Sequence, residues 1–310
     1  FRSAFAALKN LEHIELPDSI KSIGEGAFSQ CGVQYISLPD GLTTIGDFAF
    51  SMSNLVNITV PDSVTKLGEN AFYYCKSLES LTLPNTIEKL PEWLCDSCDA
   101  LKKIEIPSSV TTIGTCCFSG SGLTNVDIPE GVQTIGDLAF HYCDQLESVS
   151  FPNTLISIGT DAFSDCDKLT KVEFPKSVET ISVKAFADCD SLQSVRLPDN
   201  LKTIVGNSFW FCENLKEIYI PSSVQRIDTS VFYGDNNLSD VYYGGTEAQW
   251  NEIDIDKSGN DELFAATIHY NSIFPGDFSN TQYILAKFIG YDEATKQVTI
   301  EEITSYQYKV

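Results

Sequence analysis

Residues 146–168, LESVSFPNTLISIGTDAFSDCDK, run directly into residues 169–191, LTKVEFPKSVETISVKAFADCDS, which keep the apolar positions and change nearly all the others. Aligned, the two define a 23-residue unit, L-x-x-I-x-I-P-x-S-V-x-x-I-G-x-x-A-F-x-x-C-x-x. Proline carries the same ruler along the chain, at Pro17, Pro39, Pro61, Pro84, Pro107, Pro129, Pro152, Pro175, Pro198 and Pro221, always 22 or 23 residues apart. The phenylalanine of the Ala-Phe pair agrees, at Phe5, Phe28, Phe50, Phe72, Phe118, Phe140, Phe163, Phe186, Phe209 and Phe232, with Cys95 in the one missing place. A fixed period of this size marks a solenoid. One unit cannot bury its own apolar face, whereas stacking gives each unit a neighbour on both sides.

Each part of the unit has a physical reading. In LxxIxIP the apolar residues alternate with period 2, which predicts a short strand with one buried side. Proline closes it, since it cannot donate to a ladder. SVxxIG turns the chain, with glycine expected to supply positive φ. Ala-Phe-x-x-Cys reads as one helical or 3₁₀ turn that drops a large and a small side chain into the core.

This template resembles the BspA-like, Treponema-type leucine-rich repeats, over about residues 1–271. The stretch from Val241 to Tyr270, with VYYGGTEAQWNEI and LFAATIHY, resembles the segment that closes such arrays in bacterial surface proteins. The resemblance implies an α/β solenoid: a right-handed superhelix of about eleven repeats of 22–23 residues with a parallel sheet on its concave side. It also implies a secreted or cell-surface location and a role in binding or adhesion.

Composition narrows the partners. A formal charge of −23 and a pI near 4.3 argue against nucleic acid and anionic membranes, both of which reward basic patches. No apolar run approaches the ~20 residues that span a bilayer. FRSAFAAL opens inside a repeat at its Ala-Phe pair, so no export signal is expected in this segment and the chain reads as a piece of a longer precursor.

In chain order, the first strand is expected at Leu11 to Leu16, and ten more begin at Val33, Leu55, Leu78, Leu101, Leu123, Leu146, Leu169, Leu192, Leu215 and Leu238. At ~4.8 Å per strand they would form one sheet roughly 50 Å long. The fifth unit departs most from the template, with Pro91 in the glycine slot and Leu94-Cys95 for Ala-Phe. This reads as a volume swap, with Trp93 filling what remains. The domains expected are a repeat array over 1–243, a closing segment over 244–271, and over 272–310 a loop (SIFPGDFSN) with a β-hairpin or the start of a further module. A lone hairpin is marginal by itself.

Seven of the ten cysteines share the template slot: Cys31, Cys75, Cys98, Cys143, Cys166, Cys189 and Cys212. Neighbouring repeats hold them in register about one strand spacing apart, more than a disulfide's ~3.8 Å between Cβ atoms, which predicts free, buried thiols. Cys95-Asp-Ser-Cys98 matches CxxC, yet both thiols face inward and no second pair completes a zinc site. Cys116-Cys117 reads as core filler. The three histidines, His13, His141 and His269, lie many repeats apart, and no GxSxG or phosphate loop is present. Asp254 to Glu262 resembles a calcium loop, but Ala265 stands where the bidentate glutamate belongs, so a polar turn is expected. The chain therefore reads as a non-enzyme without metal or other cofactor.

Function then falls to residues the template leaves free. The strands present two outward rows: His13, Tyr35, Asn57, Ser80, Lys103, Asn125, Ser148, Lys171, Ser194, Glu217, Asp240, and Glu15, Ser37, Thr59, Thr82, Glu105, Asp127, Ser150, Glu173, Arg196, Tyr219, Tyr242. Both are small and polar through the middle until Lys171, Glu173, Arg196, Glu217, Tyr219 and Tyr242 gather bulk and mixed charge; Arg and Tyr are enriched at binding hot spots. That cluster is the ligand site expected from sequence. A second strip follows the core phenylalanine: Tyr73, Tyr74, His141, Tyr142, Trp210, Phe211 and Tyr233. The reading is a cell-surface module that binds a protein partner, host or matrix, with a structural spacer or a glycan binder as the alternatives.

Overall fold

The computed structural model describes residues 2–273 and the backbone of two later strands, Leu285–Asp292 and Gln297–Thr304. Two units result, one ending at Ile273 and the other beginning at Phe274.

The first unit is a parallel-strand solenoid. Its front ladder follows the expected strands: bridges join His13 to Tyr35 and Tyr35 to Asn57, and Asn57–Thr59 pairs with Ser80–Thr82. Asn125–Asp127 pairs with Ser148–Ser150, and Lys171–Glu173, Ser194–Arg196, Glu217–Ile220, Asp240–Tyr243 and Thr267–His269 pair in succession. The sheet is segmented rather than continuous: no strand forms over 101–107, the stretch that follows the aberrant fifth unit, and Ser148–Ser150 does not pair with Lys171–Glu173.

A second ladder lies behind. The residue pair before each IG glycine forms a two-residue strand, so that Ser22–Ile23, Thr44–Ile45 and Lys66–Leu67 pair in parallel. Five more such strands pair from Lys89–Leu90 to Thr180–Ile181, and three from Thr203–Ile204 to Asp254–Ile255. The glycine beside them does not supply positive φ, contrary to the sequence expectation. It is needed because turns approach closely: a Cβ on Gly46 would lie 2.8 Å from the Glu25 amide nitrogen, and one on Gly136 2.8 Å from that of Thr115.

The Ala-Phe-x-x-Cys segment tightens into successive turns, not a helix. Residues two before and two after the phenylalanine are left-handed, as at Phe48 (φ 55°) and Met52 (φ 57°). This alternation aims every second amide at the next turn, as in Phe28 N–H to Ala49 O (2.7 Å) and Gln30 N–H to Ser51 O (2.8 Å). The serine two residues past the proline ties adjacent turns together, since Ser63, Ser109 and Ser223 each donate to a carbonyl of the preceding turn at 2.6–2.7 Å.

The core is columnar. Phe5, Phe28, Phe50 and Phe72 stack face to face with centroids 5.1–5.6 Å apart, and Phe118 through Phe232 form a second stack at 5.0–6.1 Å. Between them Leu94 and Cys95 are fully buried, as a volume swap requires. Trp93, however, is 38% exposed and does not fill the gap: its backbone is left-handed (φ 56°), and its side chain stands outside the core.

All ten cysteines are free and buried. The slot thiols are more than small hydrophobes, because each donates to a carbonyl on the preceding turn, such as Cys75 to Phe50 (3.0 Å) and Cys189 to Phe163 (3.2 Å). Burial raises the pKa of the slot thiols from Cys75 to Cys212, to about 12 for Cys75 and Cys143, which keeps these protonated and able to donate.

The array ends on residues that replace one further turn. Thr246 caps the helix Glu247–Trp250 with a reciprocal Gln249 contact, and Trp250 packs edge-on against Tyr243 at 5.1 Å. Asn260, fully buried, accepts from Phe232 N–H and donates to the Asp228 and Asp256 carbonyls. The calcium-like stretch is therefore more than the polar turn expected from sequence: Asp254–Ile255 joins the back ladder and Asp261–Ala265 forms a short helix, with a turn ending at Asn260 between them. In the second unit Leu285–Asp292 and Gln297–Thr304 pair antiparallel. The SIFPGDFSN loop falls largely outside the described residues.

Candidate binding surface

The six residues singled out in the sequence lie together at the C-terminal end of the front ladder. Lys171, Ser194, Glu217 and Asp240 occupy one row, and Glu173, Arg196, Tyr219, Tyr242 and His269 the adjacent one, each strand in parallel register with the next. The alternation of buried Val172, Val195, Ile218 and Val241 with these residues turns both rows outward.

Geometry knits the cluster. Lys171 and Glu173 form an ion pair. Arg196 sits over the Tyr219 ring at 5.1 Å and donates from Nη2 to Asp199 Oδ1 at 3.0 Å, and Lys176 approaches Asp199 at 3.6 Å. Gly244 leaves room for the Tyr219 hydroxyl, which stands 2.6 Å from where a Cβ would be. Tyr242 stacks on His269 (4.8 Å, 16°), and His269 Nε2 lies 2.7 Å from Asp240 Oδ1. Hydrogen bonds from His269 and then Ser239 hold the Asp240 carboxyl below the usual carboxylate range.

Lys171 and Glu173 are exposed, while Arg196, Glu217, Tyr219 and Tyr242 are half-buried. The aromatic rings and the guanidinium are thus held by their neighbours, while the Lys171 and Glu173 side chains extend into solvent. Sequence reasoning left His269, Asp240 and Asp199 out of the site. The signal was available for His269, because IHY repeats the spacing of VYY and so continues the Tyr242 row by one strand.

The strip behind the core phenylalanine divides. Trp210 and Phe211 are half-buried against each other at 4.4 Å, with Phe211 edge-on to Tyr233 at 5.5 Å. Tyr74, Tyr142 and Tyr233 are 41%, 55% and 46% exposed. His141 bonds Ser164 Oγ at 2.6 Å and lies 3.5 Å from Asp165. Among the described residues no three of His, Cys, Asp and Glu converge as metal ligands, and no helix is long and apolar enough to cross a membrane.

The BspA type leucine rich repeat region model matches residues 2–124 and 111–239 in six copies. A leucine-rich repeat protein from Bacteroides ovatus is 30% identical over 87% of this chain and 80% of its own, with a TM-score of 0.58. One from Eubacterium ventriosum is 25% identical over 75% and 78%, with a TM-score of 0.52. No curated protein matches the sequence. With the repeat template, the paired ladders and the family model in agreement, this chain belongs to the BspA-type leucine-rich-repeat family.

Proposed function

We propose that the chain is a non-catalytic, extracellular binding module of a cell surface, which presents its front ladder to a protein partner and engages it through Lys171, Glu173, Arg196, Glu217, Tyr219 and Tyr242. The observation that carries this is the contrast along one face. Small polar side chains fill most of both rows, and aromatic and charged groups held by their neighbours collect at one end. Such rigid, half-buried Arg and Tyr lose little freedom on binding. In this reading residues 1–243 are the array, 244–271 its cap, and 272–310 a hairpin or the start of a further module.

The test is a screen of the intact chain against immobilised matrix proteins, mucin and a glycan array, repeated with Arg196, Tyr219 and Tyr242 all changed to Ala. A protein ligand whose affinity falls at least tenfold in the triple variant is the expected result. An unchanged affinity overturns the placement. Binding to glycans alone favours the glycan reading, and no specific ligand in any arm favours a spacer.

A further inference from the structure

A second surface lies away from the front ladder, along the turns that carry the phenylalanine. In the turns from Phe50 to Cys95 four of the six left-handed positions flanking the core ring, all but Asn70 and Ser97, hold bulky apolar side chains where most other turns hold small or polar ones. Phe48 and Trp93 stand in the column two residues before the ring; Met52 and Tyr74 stand in the column two after it. All four are 38–43% exposed, with φ of 55–57°. Outside this stretch the same columns hold mostly Gly26, Gly120, Asp161, Asp165, Asp188 and Asn207, residues that take this conformation readily or leave no apolar area in water, with Leu138, Tyr142 and Phe211 as the bulky exceptions. Bulky residues under backbone strain and solvent exposure at once are a mark of function.

Charge says what they face. The residue just before the first column is Glu25, Asp47, Glu69 and Glu92 in successive turns, all exposed, and Thr160, Val183, Gly206 and Thr229 near the other end. Among the described residues Glu69 and Glu92 form no ion pair. The molecule also contains a small-scale version of the contact: Lys76 Nζ sits 4.5 Å above the Tyr74 ring while pairing with Asp99 at 3.2 Å. Aromatic faces bordered by carboxylates attract ammonium and guanidinium groups.

We infer that this edge, formed by Phe48, Met52, Tyr74 and Trp93 beside Glu69 and Glu92, docks an arginine- or lysine-bearing polypeptide segment of a partner. It is separate from the front-ladder site, so the two readings fail independently.

The test is fluorescence anisotropy of the intact chain with a labelled (Gly-Arg)6 peptide, with (Gly-Glu)6 and (Gly-Ser)6 as controls. Binding of the basic peptide alone is expected, weakened at least tenfold by combined Phe48→Asn, Tyr74→Asp and Trp93→Asn, with Tm unchanged or higher because Asn already occupies the first column at Asn70 and Asn207 and Asp the second at Asp165 and Asp188. Affinity unchanged in that variant means charge attraction alone and overturns the inference, as does equal binding of the three peptides or none. Should the triple variant not fold, Trp93→Asn alone carries the test, with a threefold loss expected and no loss overturning it.

Discussion

Cys95 replaces a ring in a column otherwise built of phenylalanine, and the neighbouring Ala slot holds Leu94; both side chains are fully buried. A one-for-one exchange of volume explains the pair without any chemistry of the thiol. Cys95→Phe alone should overpack the fifth turn and cost about 1–3 kcal/mol, and adding Leu94→Ala should restore most of it. Urea unfolding of both singles and the double checks this; additive effects would contradict it. Asp235 stands in the cysteine slot of its own turn, fully buried, with Oδ1 accepting the Cys212 amide at 2.7 Å. Burial first, and then the nearby Glu262, push its pKa well above the ordinary carboxylate value. With the folded pKa raised, its contribution is complete below about pH 4 and is lost as pH rises through the folded value. Asp235→Asn keeps the acceptor and removes the ionisation. Tm measured from pH 4 to 8 should fall less steeply in the variant, with a gain at neutral pH.

At the scale of the element, the two glycine roles separate. Gly136 has an ordinary backbone but no space, and Gly120 has φ of +60° with its nearest outside atom at 3.5 Å. Gly136→Ala should therefore cost more, about 2–3 kcal/mol, than Gly120→Ala at about 1 kcal/mol. Chemical denaturation of the two single variants gives the order, and the reverse order would put backbone conformation above close approach. The same distinction shows what was legible in the sequence. The front strands were, because IxI alternates over enough residues to fix a buried side. The back strands were not: Thr44–Ile45 or Ser157–Ile158 offers a single apolar residue, too little for a period. Nor was the left-handed alternation, since Phe48 and Tyr74 are residue types that give no hint of positive φ.

For the whole molecule, repetition made both the fold and the register of the outward rows readable, and so brought Lys171, Arg196, Tyr219 and Tyr242 to one place from the pattern alone. Side chains that reach the rows from other parts of the fold were harder to read. Asp199 lies in the turn after its strand and meets the row through the Arg196 side chain, which no spacing encodes, whereas His269 lies in the cap and is placed by the IHY spacing alone. The solenoid holds together because its turns support one another chiefly through nearest neighbours. Excising the whole unit Leu146 to Lys168 tests that most directly, by circular dichroism, thermal unfolding and small-angle scattering on the shortened chain. The expected result is a folded protein with an unchanged spectrum per residue, cooperative unfolding at a modestly lower Tm, and a long dimension shorter by about 5 Å, one strand spacing. Loss of the folded spectrum and of cooperative unfolding would contradict it.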